Sequence, residues 1–447
     1  MTERLFGTDG IRGKANQHPM TPELALRVGR AAGSLFRKDD RPHSILIGKD
    51  TRQSGYMIEN ALTAGLCSMG IDVRLVGPLP TPGVSYIMRS LRADAAIMIS
   101  ASHNPFDDNG IKFFGPDGYK LPDEVEDEIE KLVTTDAIAD VRPVGTKIGR
   151  ARRIDDAVGR YIEYVKSTFP KGMRLDGLKI VCDGANGACY KAGPYTLMEL
   201  GADVVPIGVE PDGTNINADC GSMFPEKMRA KVISEKADLG IAFDGDGDRI
   251  IMTDSDSRLL DGNALLSILG IDLLNRKELP KNTVVTTIMA NGGLERALAE
   301  HGGKVMRTKV GDRYVVEAMR SGGMTLGGES SGHIIMLDHT TTGDALITAL
   351  QVLATMNRAD LSLTELAQQY EPMPEAHGKV PLNGGERPSQ ELLDRVREKA
   401  EDTLNGKGRI VIRPSGTEPI IRIMVQHESS REAESLVESL SDEISSL

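Results

Sequence analysis

The run Asp244-Gly-Asp-Gly-Asp248 carries three carboxylates at alternate positions, with glycine between them. In extended chain alternate residues face one side, so the three acids are expected to converge, and glycine tolerates the tight backbone this needs. Three hard oxygen ligands suit Mg²⁺, with water or a phosphate oxygen completing the shell. An EF-hand calcium loop opens with the same spacing, but it requires Gly where this chain has Arg249 and Glu where it has Ser255. A solvated acidic turn is the poorer reading, because three like charges between two apolar stretches need a partner.

Three further loops hold reactive side chains. Ser100-Ala-Ser-His-Asn-Pro105 directly follows the apolar run Ala95–Ile99, and a serine at such a strand end is expected to be exposed and accessible as a nucleophile. Most loop serines only cap turns, so this loop alone says little. Arg413-Pro-Ser-Gly-Thr-Glu-Pro419, with Arg422 beyond it, combines guanidinium, hydroxyl and glycine N–H donors between two prolines, the inventory of a phosphate clamp. Gly327-Gly-Glu-Ser-Ser-Gly-His333 contains a G-x-S-x-G match, but the nucleophile elbow must lead into a helix and Ile334 to Leu337 continues as a strand. Ser330 is therefore set aside as a nucleophile. Glu329, Ser331 and His333 suit hydroxyl recognition and proton transfer.

The elements that must carry these loops repeat three times. Ser44–Gly48, Leu178–Cys182 and Thr283–Thr287 are short β-branched runs, each followed by a helical pattern and a glycine-led strand at Gly70–Val73, Gly201–Val204 and Gly302–Val305. In each repeat a second helix leads to an apolar strand, one of the reactive loops, and another apolar strand. Those last strands are Ile111–Phe114, Ile250–Met252 and Ile334–Leu337. Three equivalent loops with different chemistries predict three units around one cleft.

Thr134–Asp156 and the proline-rich Glu371–Pro388 read as boundaries. Beyond the second, a helix, two strands flanking Arg413–Pro419 and a closing helix with Ser429 and Glu432 as a capping box make a smaller α+β domain. The expected domains are 1–153, 154–255, 256–372 and 373–447.

Composition limits the partners. With 40% hydrophobic and 26% charged residues, the 447-residue chain reads as a folded soluble protein. Its 53 Lys and Arg against 65 Asp and Glu give a charge of -12, which repels nucleic acid and anionic membranes, so neither is expected as a partner. A small phosphate would need a local basic pocket. Cys67, Cys182, Cys189 and Cys220 show no C-x-x-C spacing, so neither a disulfide framework nor a zinc site is expected. The charged start Met1–Phe6 lacks the apolar stretch of a signal peptide, and no apolar run approaches the ~20 residues of a membrane span, so the protein is expected in the cytoplasm.

In this order and over essentially the whole chain, the four loops resemble those of the α-D-phosphohexomutase superfamily, and Phe6-Gly-Thr-Asp-Gly-Ile-Arg-Gly13 adds a further match. The resemblance implies three related α/β domains with mixed sheets and a C-terminal α+β domain around a central cleft. It implies an isomerase that interconverts glucosamine 6-phosphate and glucosamine 1-phosphate through a phosphoserine and a bisphosphate, supplying UDP-N-acetylglucosamine and cell-wall synthesis. Ser102 would be the phosphoserine, and its phosphate with Asp244, Asp246 and Asp248 would hold one Mg²⁺. Glu329 and Ser331 match the sugar-binding loop, and Arg413, Ser415, Gly416, Thr417 and Arg422 the clamp for the other phosphate. Arg12, His103, Lys112, Arg249 and His333 match positions that surround the transferring group or move protons. A hexosamine or hexose 1,6-bisphosphate would act as activator, and the partner is a small phosphosugar. A homodimer and an activating kinase stay open. Many members acting on glucosamine phosphate carry Gln where this chain has Ser330, which keeps glucose and mannose phosphates as the alternative substrates. A metal-dependent sugar-phosphate phosphatase is the alternative from another class.

Overall fold

Ser44–Lys49, Lys179–Asp183 and Thr283–Thr287 are buried almost throughout, as inner strands covered by helices on both faces must be. Each is an inner strand of one sheet in a computed structural model, which describes residues 4–446 apart from 8, 40, 136, 139–141, 383–387, 405 and 416–419.

The three sheets share one strand order. In the first unit Asp72–Pro78, Ser44–Lys49 and Ala95–Ile99 run parallel, and Asp108–Phe114 returns antiparallel beside Ala95–Ile99. In the second the same places are taken by Asp203–Ile207, Lys179–Asp183, Leu239–Phe243 and Ile250–Asp254. In the third they are taken by Lys304–Thr308, Thr283–Thr287, Leu326–Gly328 and Ile334–Met336. The predicted repeat is present, and each reactive loop joins the last parallel strand to the antiparallel one. The loop holding Ser330 thus lies between two strands, not between a strand and a helix.

Two stretches that read as boundaries contain strands. Ala151–Arg153 extends the first sheet alongside Asp72–Pro78, and Glu375–Pro381 forms an edge of the fourth, antiparallel sheet with Ile420–His427 and Gly408–Pro414. Both are edge strands, where prolines such as Pro381 are tolerated because one side needs no ladder donor. The closing helix Ser430–Ser445 keeps only half of its predicted capping box. Ser429 accepts from Glu432 N, but the Glu432 carboxylate lies 3.1 Å from His427 Nε2.

The cores divide unevenly. One apolar cluster runs through Leu46 and Met98 of the first unit, Ile180 and Phe243 of the second, and Val284 and Leu350 of the third. The fourth unit packs around its own cluster, from Val380 to Ile444. Among the described residues no helix is long and apolar enough to cross a membrane.

Candidate active site

The Asp loop converges, but not through the alternation of an extended strand. The chain turns tightly, with Gly247 in the left-handed region and Gly247 N bonded to Asp244 O. Asp248 N and Arg249 N both donate to Asp244 Oδ1, so the first carboxylate organises the turn that presents the other two. One oxygen from each of Asp244, Asp246 and Asp248 lies within 4.8 Å of the others. Burial raises Asp244 well above the usual carboxylate range, and the Asp248 and Asp246 charges add to the rise.

Carboxylates crowded and buried in this way require a cation. Asp246 Oδ1 and Asp248 Oδ1 are buried without a hydrogen-bond partner. Two orphaned anionic oxygens beside a third carboxylate fit a divalent ion with oxygen preference, and the donor set is that of Mg²⁺.

Ser102 faces this triad. Its Oγ donates to Asp244 Oδ2 at 2.6 Å and lies 3.3 Å from His103 Nδ1. The expectation of an exposed serine is wrong for this state. Ser102 is 1% exposed, because its hydroxyl turns inward against the Asp loop of the second unit. Ser100 has a different task, donating to Asp50 Oδ2 and accepting from Ser102 N. Ser102 adopts a left-handed φ of 52°, an uncommon state for a non-glycine residue that surrounding bonds must hold. Arg52, fully buried, donates to the carbonyls of Ser102 and Asn104, each at 2.9 Å, and Asn217 Nδ2 of the second unit reaches the same two carbonyls. A Cβ on Gly245 would stand 2.5 Å from Ser102 O, so glycine there permits the approach of the two loops.

Cations and their partners fill the space between the first and third units. Lys112 Nζ lies 3.0 Å from Asp246 Oδ2 and 3.2 Å from Asp9 Oδ2. Burial disfavours its charge, but Asp246, Asp9 and Asp248 outweigh that and raise its pKa. Asp9 also pairs with Arg12 and Lys120, and Lys120 reaches Asp312 Oδ2 of the third unit at 2.7 Å. His333 has Asp248 Oδ2 3.6 Å from Nδ1 and Asp312 Oδ2 3.5 Å from Nε2. Burial works against a charged ring, yet Asp248 and Asp312 lift it to about 9, whereas a Gly343 N–H at Nε2 favours the neutral form. Such opposed demands suit a group that gains and loses a proton. His103 is lowered to about 4, first by burial and then by Arg249 and Arg12.

A cavity of about 490 Å³ collects Asp9, Arg12, Asp248, Arg249, Glu329 and His333 among its lining. Its charge is mixed rather than basic, with Arg12, Arg249 and His333 set against Asp9, Asp248 and Glu329, so the local basic pocket expected for a phosphate is not seen as such. Glu329 accepts from Gly311 N, while Ser331 is exposed. Arg413 and Arg422 face each other across the antiparallel pair of the fourth unit, and Ser415 N closes the loop onto Ile420 O. They lie outside that cavity's lining, and Gly416 and Thr417 lie outside the described residues. The motifs did not single out Asp9, Arg52, Thr81, Lys120, Asn217 or Asp312. The available signals were Asp9, inside the Phe6–Gly13 match, and Thr81, which stands between two prolines in Leu79-Pro-Thr-Pro82.

Three α/β units of one topology, a fourth unit apart, and a buried triad facing a serine define the phosphohexomutase class. The chain belongs to the phosphoglucomutase/phosphomannomutase family. Residues 3–139, 159–257 and 261–373 match its alpha/beta/alpha domains I, II and III, and residues 364–443 match its C-terminal domain. It is 54% identical to a phosphoglucosamine mutase of Geobacter metallireducens, over 95% of this chain and 94% of that one. It is 52% identical to another of Anaeromyxobacter dehalogenans, over 99% of both. A family protein from Burkholderia thailandensis has the same fold, with a TM-score of 0.82 and 25% identity over 99% of this chain and 97% of that one. An Aspergillus fumigatus N-acetylphosphoglucosamine mutase, solved with GlcNAc-6P and magnesium, shares the fold at a TM-score of 0.68 and 19% identity, over 99% and 95% of the two chains.

Proposed function

We propose that this isomerase interconverts glucosamine 6-phosphate and glucosamine 1-phosphate through a phosphorylated Ser102. The observation that carries the reading is Ser102 Oγ at 2.6 Å from Asp244, beside the unpartnered oxygens of Asp246 and Asp248. The relatives that are 51–54% identical and named phosphoglucosamine mutase support the sugar. The same reaction would feed UDP-N-acetylglucosamine and cell-wall synthesis.

Asp244, Asp246 and Asp248 would hold Mg²⁺ together with the Ser102 phosphate. Bound there, the ion supplies positive charge against the transferring phosphoryl group. Arg12, Lys112 and Arg249 add cationic charge around it, since phosphoryl transfer depends chiefly on positioning and electrostatics. In the first half-reaction the Ser102 Oγ–P bond breaks and a sugar hydroxyl forms the new P–O bond, passing its proton to a neutral base such as His103, while the departing Ser102 oxygen takes up a proton from a charged donor such as His333. The resulting 1,6-bisphosphate turns round and returns its other phosphoryl group to Ser102. The same bisphosphate supplied from outside would phosphorylate an idle enzyme. Glu329 and Ser331 would hold sugar hydroxyls while Arg413, Ser415, Gly416, Thr417 and Arg422 grip the phosphate that stays.

Domain boundaries at 153, 255 and 372 belong to the same proposal. They leave one reactive loop in each unit, and the matched family domains support them. A cytoplasmic setting fits this metabolic role.

The test is kcat/KM for the 1- or 6-phosphates of glucosamine, glucose and mannose under one set of conditions, with inorganic phosphate followed alongside. Glucosamine phosphate should lead, with glucose phosphate turned over slowly. A preference for glucose or mannose phosphate would move the assignment to those mutases, and phosphate release without isomerisation would make the protein a phosphatase.

A further inference from the structure

Two buried donors share one oxygen of Asp246. Thr81 Oγ1 donates to Asp246 Oδ2 at 2.8 Å, and Lys112 Nζ approaches the same atom at 3.0 Å. The other oxygen, Oδ1, is buried and has no hydrogen-bond partner. A free carboxylate offers either oxygen to a cation, and rotation exchanges them. Here one is already taken, so Oδ1 is the oxygen left for a cation.

Thr81 is built to hold that position. It is 1% exposed and opens the helix Thr81–Ser90 of the first unit, whereas Asp246 belongs to the second. Pro80 and Pro82 flank it, fixing φ on both sides and leaving Thr81 the one backbone N–H among the three. That N–H is spent on Asp246 O at 2.8 Å. Thr81 therefore grips Asp246 twice, by backbone and by side chain. The helix N-terminus adds favourable partial charge beside the carboxylate. Close packing of Pro80 against Gly247 seats the turn, since a Cβ on Gly247 would stand 3.1 Å from Pro80 Cβ.

From this geometry we infer that Thr81 is a positioning residue for the metal site: its hydroxyl occupies Asp246 Oδ2 and so assigns Oδ1 to the cation. The inference rests on the reading of the Asp triad as a Mg²⁺ site. Lys112 shares the oxygen but also serves Asp9, so Thr81 is the donor dedicated to Asp246. Without the hydroxyl the carboxylate gains rotational freedom that binding must remove, and affinity for the ion falls. Chemistry at saturating metal is left nearly intact, because the ligands themselves are unchanged.

The experiment titrates Mn²⁺ into the full-length protein and follows the free ion by electron paramagnetic resonance, without turnover. Thr81→Val keeps the N–H and the shape but removes the hydroxyl. It should weaken Mn²⁺ binding by about ten-fold, the scale of one hydrogen bond to a charged group. Thr81→Ser should bind within about two-fold of the unaltered protein, since the donor to the carboxylate is kept. The kcat of Thr81→Val should return close to normal at saturating Mg²⁺, which a general loosening of the interface would not allow. If Thr81→Val does not fold, Thr81→Ala replaces it. Unchanged Mn²⁺ affinity in a folded variant without the hydroxyl overturns the inference, as does equal weakening in Thr81→Ser. Failure of the unaltered protein to bind Mn²⁺ at all overturns the metal reading instead.

Discussion

The Asp loop and the Arg413 loop both serve a phosphate in the proposed reaction, yet they are held in opposite ways. Three consecutive carbonyls of the Asp loop accept N–H groups from three helix starts. Ala188 N reaches Gly245 O, Thr81 N reaches Asp246 O, and Ala345 N reaches Gly247 O, one from each of the first three units. The Arg413 loop belongs to a unit with its own core. Among the described residues that unit meets the third through polar contacts that include Gly292 N to Gln426 Oε1, Asn291 Nδ2 to Met373 O, and Arg409 to the carbonyls of Ile288 and Ala290. The lesson is a division of labour. In the proposed reaction chemistry would sit where three units lock together, and the grip on the distal phosphate would sit on a unit with a core of its own. A bisphosphate that must turn round needs both.

Breaking the locked side should have the largest effect. Asp246→Asn should lower turnover on the order of a thousand-fold or more while the protein stays folded, because one of three charged ligands is lost. Activity assays beside circular dichroism decide it, and near-normal Mg²⁺-dependent activity would remove these acids from the metal site. Ser102→Ala should be similarly inactive yet still bind phosphosugar, with no phosphate found on the Ser100–Pro105 peptide by mass spectrometry.

The side with its own core should respond in affinity. Arg413→Ala is expected to raise KM and lower kcat/KM by roughly 1.5–3 kcal/mol, the worth of a charge-assisted hydrogen bond. Steady-state kinetics with unchanged KM and kcat/KM would refute the clamp. A smaller effect is expected at the joint. Gln426→Ala removes the acceptor of Gly292 N and the partner of Glu375, and should change kcat/KM about three-fold, within the worth of one neutral hydrogen bond, leaving Mn²⁺ affinity alone. If Mn²⁺ binding shifted as well, the two regions would not be independent.

The smallest effect is on stability and pH. Asp344 caps the helix Ala345–Ala359 and accepts the Tyr161 hydroxyl. Burial raises it from the ordinary 3.8 to about 7, outweighing those bonds. Because the folded pKa is the higher one, the stability it contributes is complete below 3.8 and is lost as pH rises through about 7. Asp344→Asn keeps an acceptor for the helix N–H groups, so its denaturation midpoint should vary less than that of the parent over this window.

Much of the site is legible in the amino-acid sequence because the chemistry of its loops is local. Five residues carry the whole triad, and Ser102 and His333 sit beside recognisable strands. The repeated succession of strands and helices follows from periodicity, whereas the order of the strands within each sheet is seen only in the structure. What escapes is chemistry assembled over distance. Arg52 looks like any loop arginine until the fold brings it to the Ser102 carbonyl, and Asn217 reaches the same atom from another unit. Asp312 and Lys120 meet only because two units dock. The inward turn of Ser102 is hidden for the same reason, since its partner Asp244 lies 142 residues away. Glu375–Pro381 is masked by prolines, which mark a boundary more often than they end an edge strand.

The three helix starts around the Asp loop also set an order of events during synthesis. A ribosome releases Asp244–Asp248 well before residue 345, so the nascent chain holds the acids without the last of their N–H donors. Until the third unit folds against them, the carbonyl of Gly247 lacks its donor and the turn is free to relax. The cradle of the Asp loop is thus complete only once Ala345 has been made, and a chain cut short before it would carry the acids without their last donor.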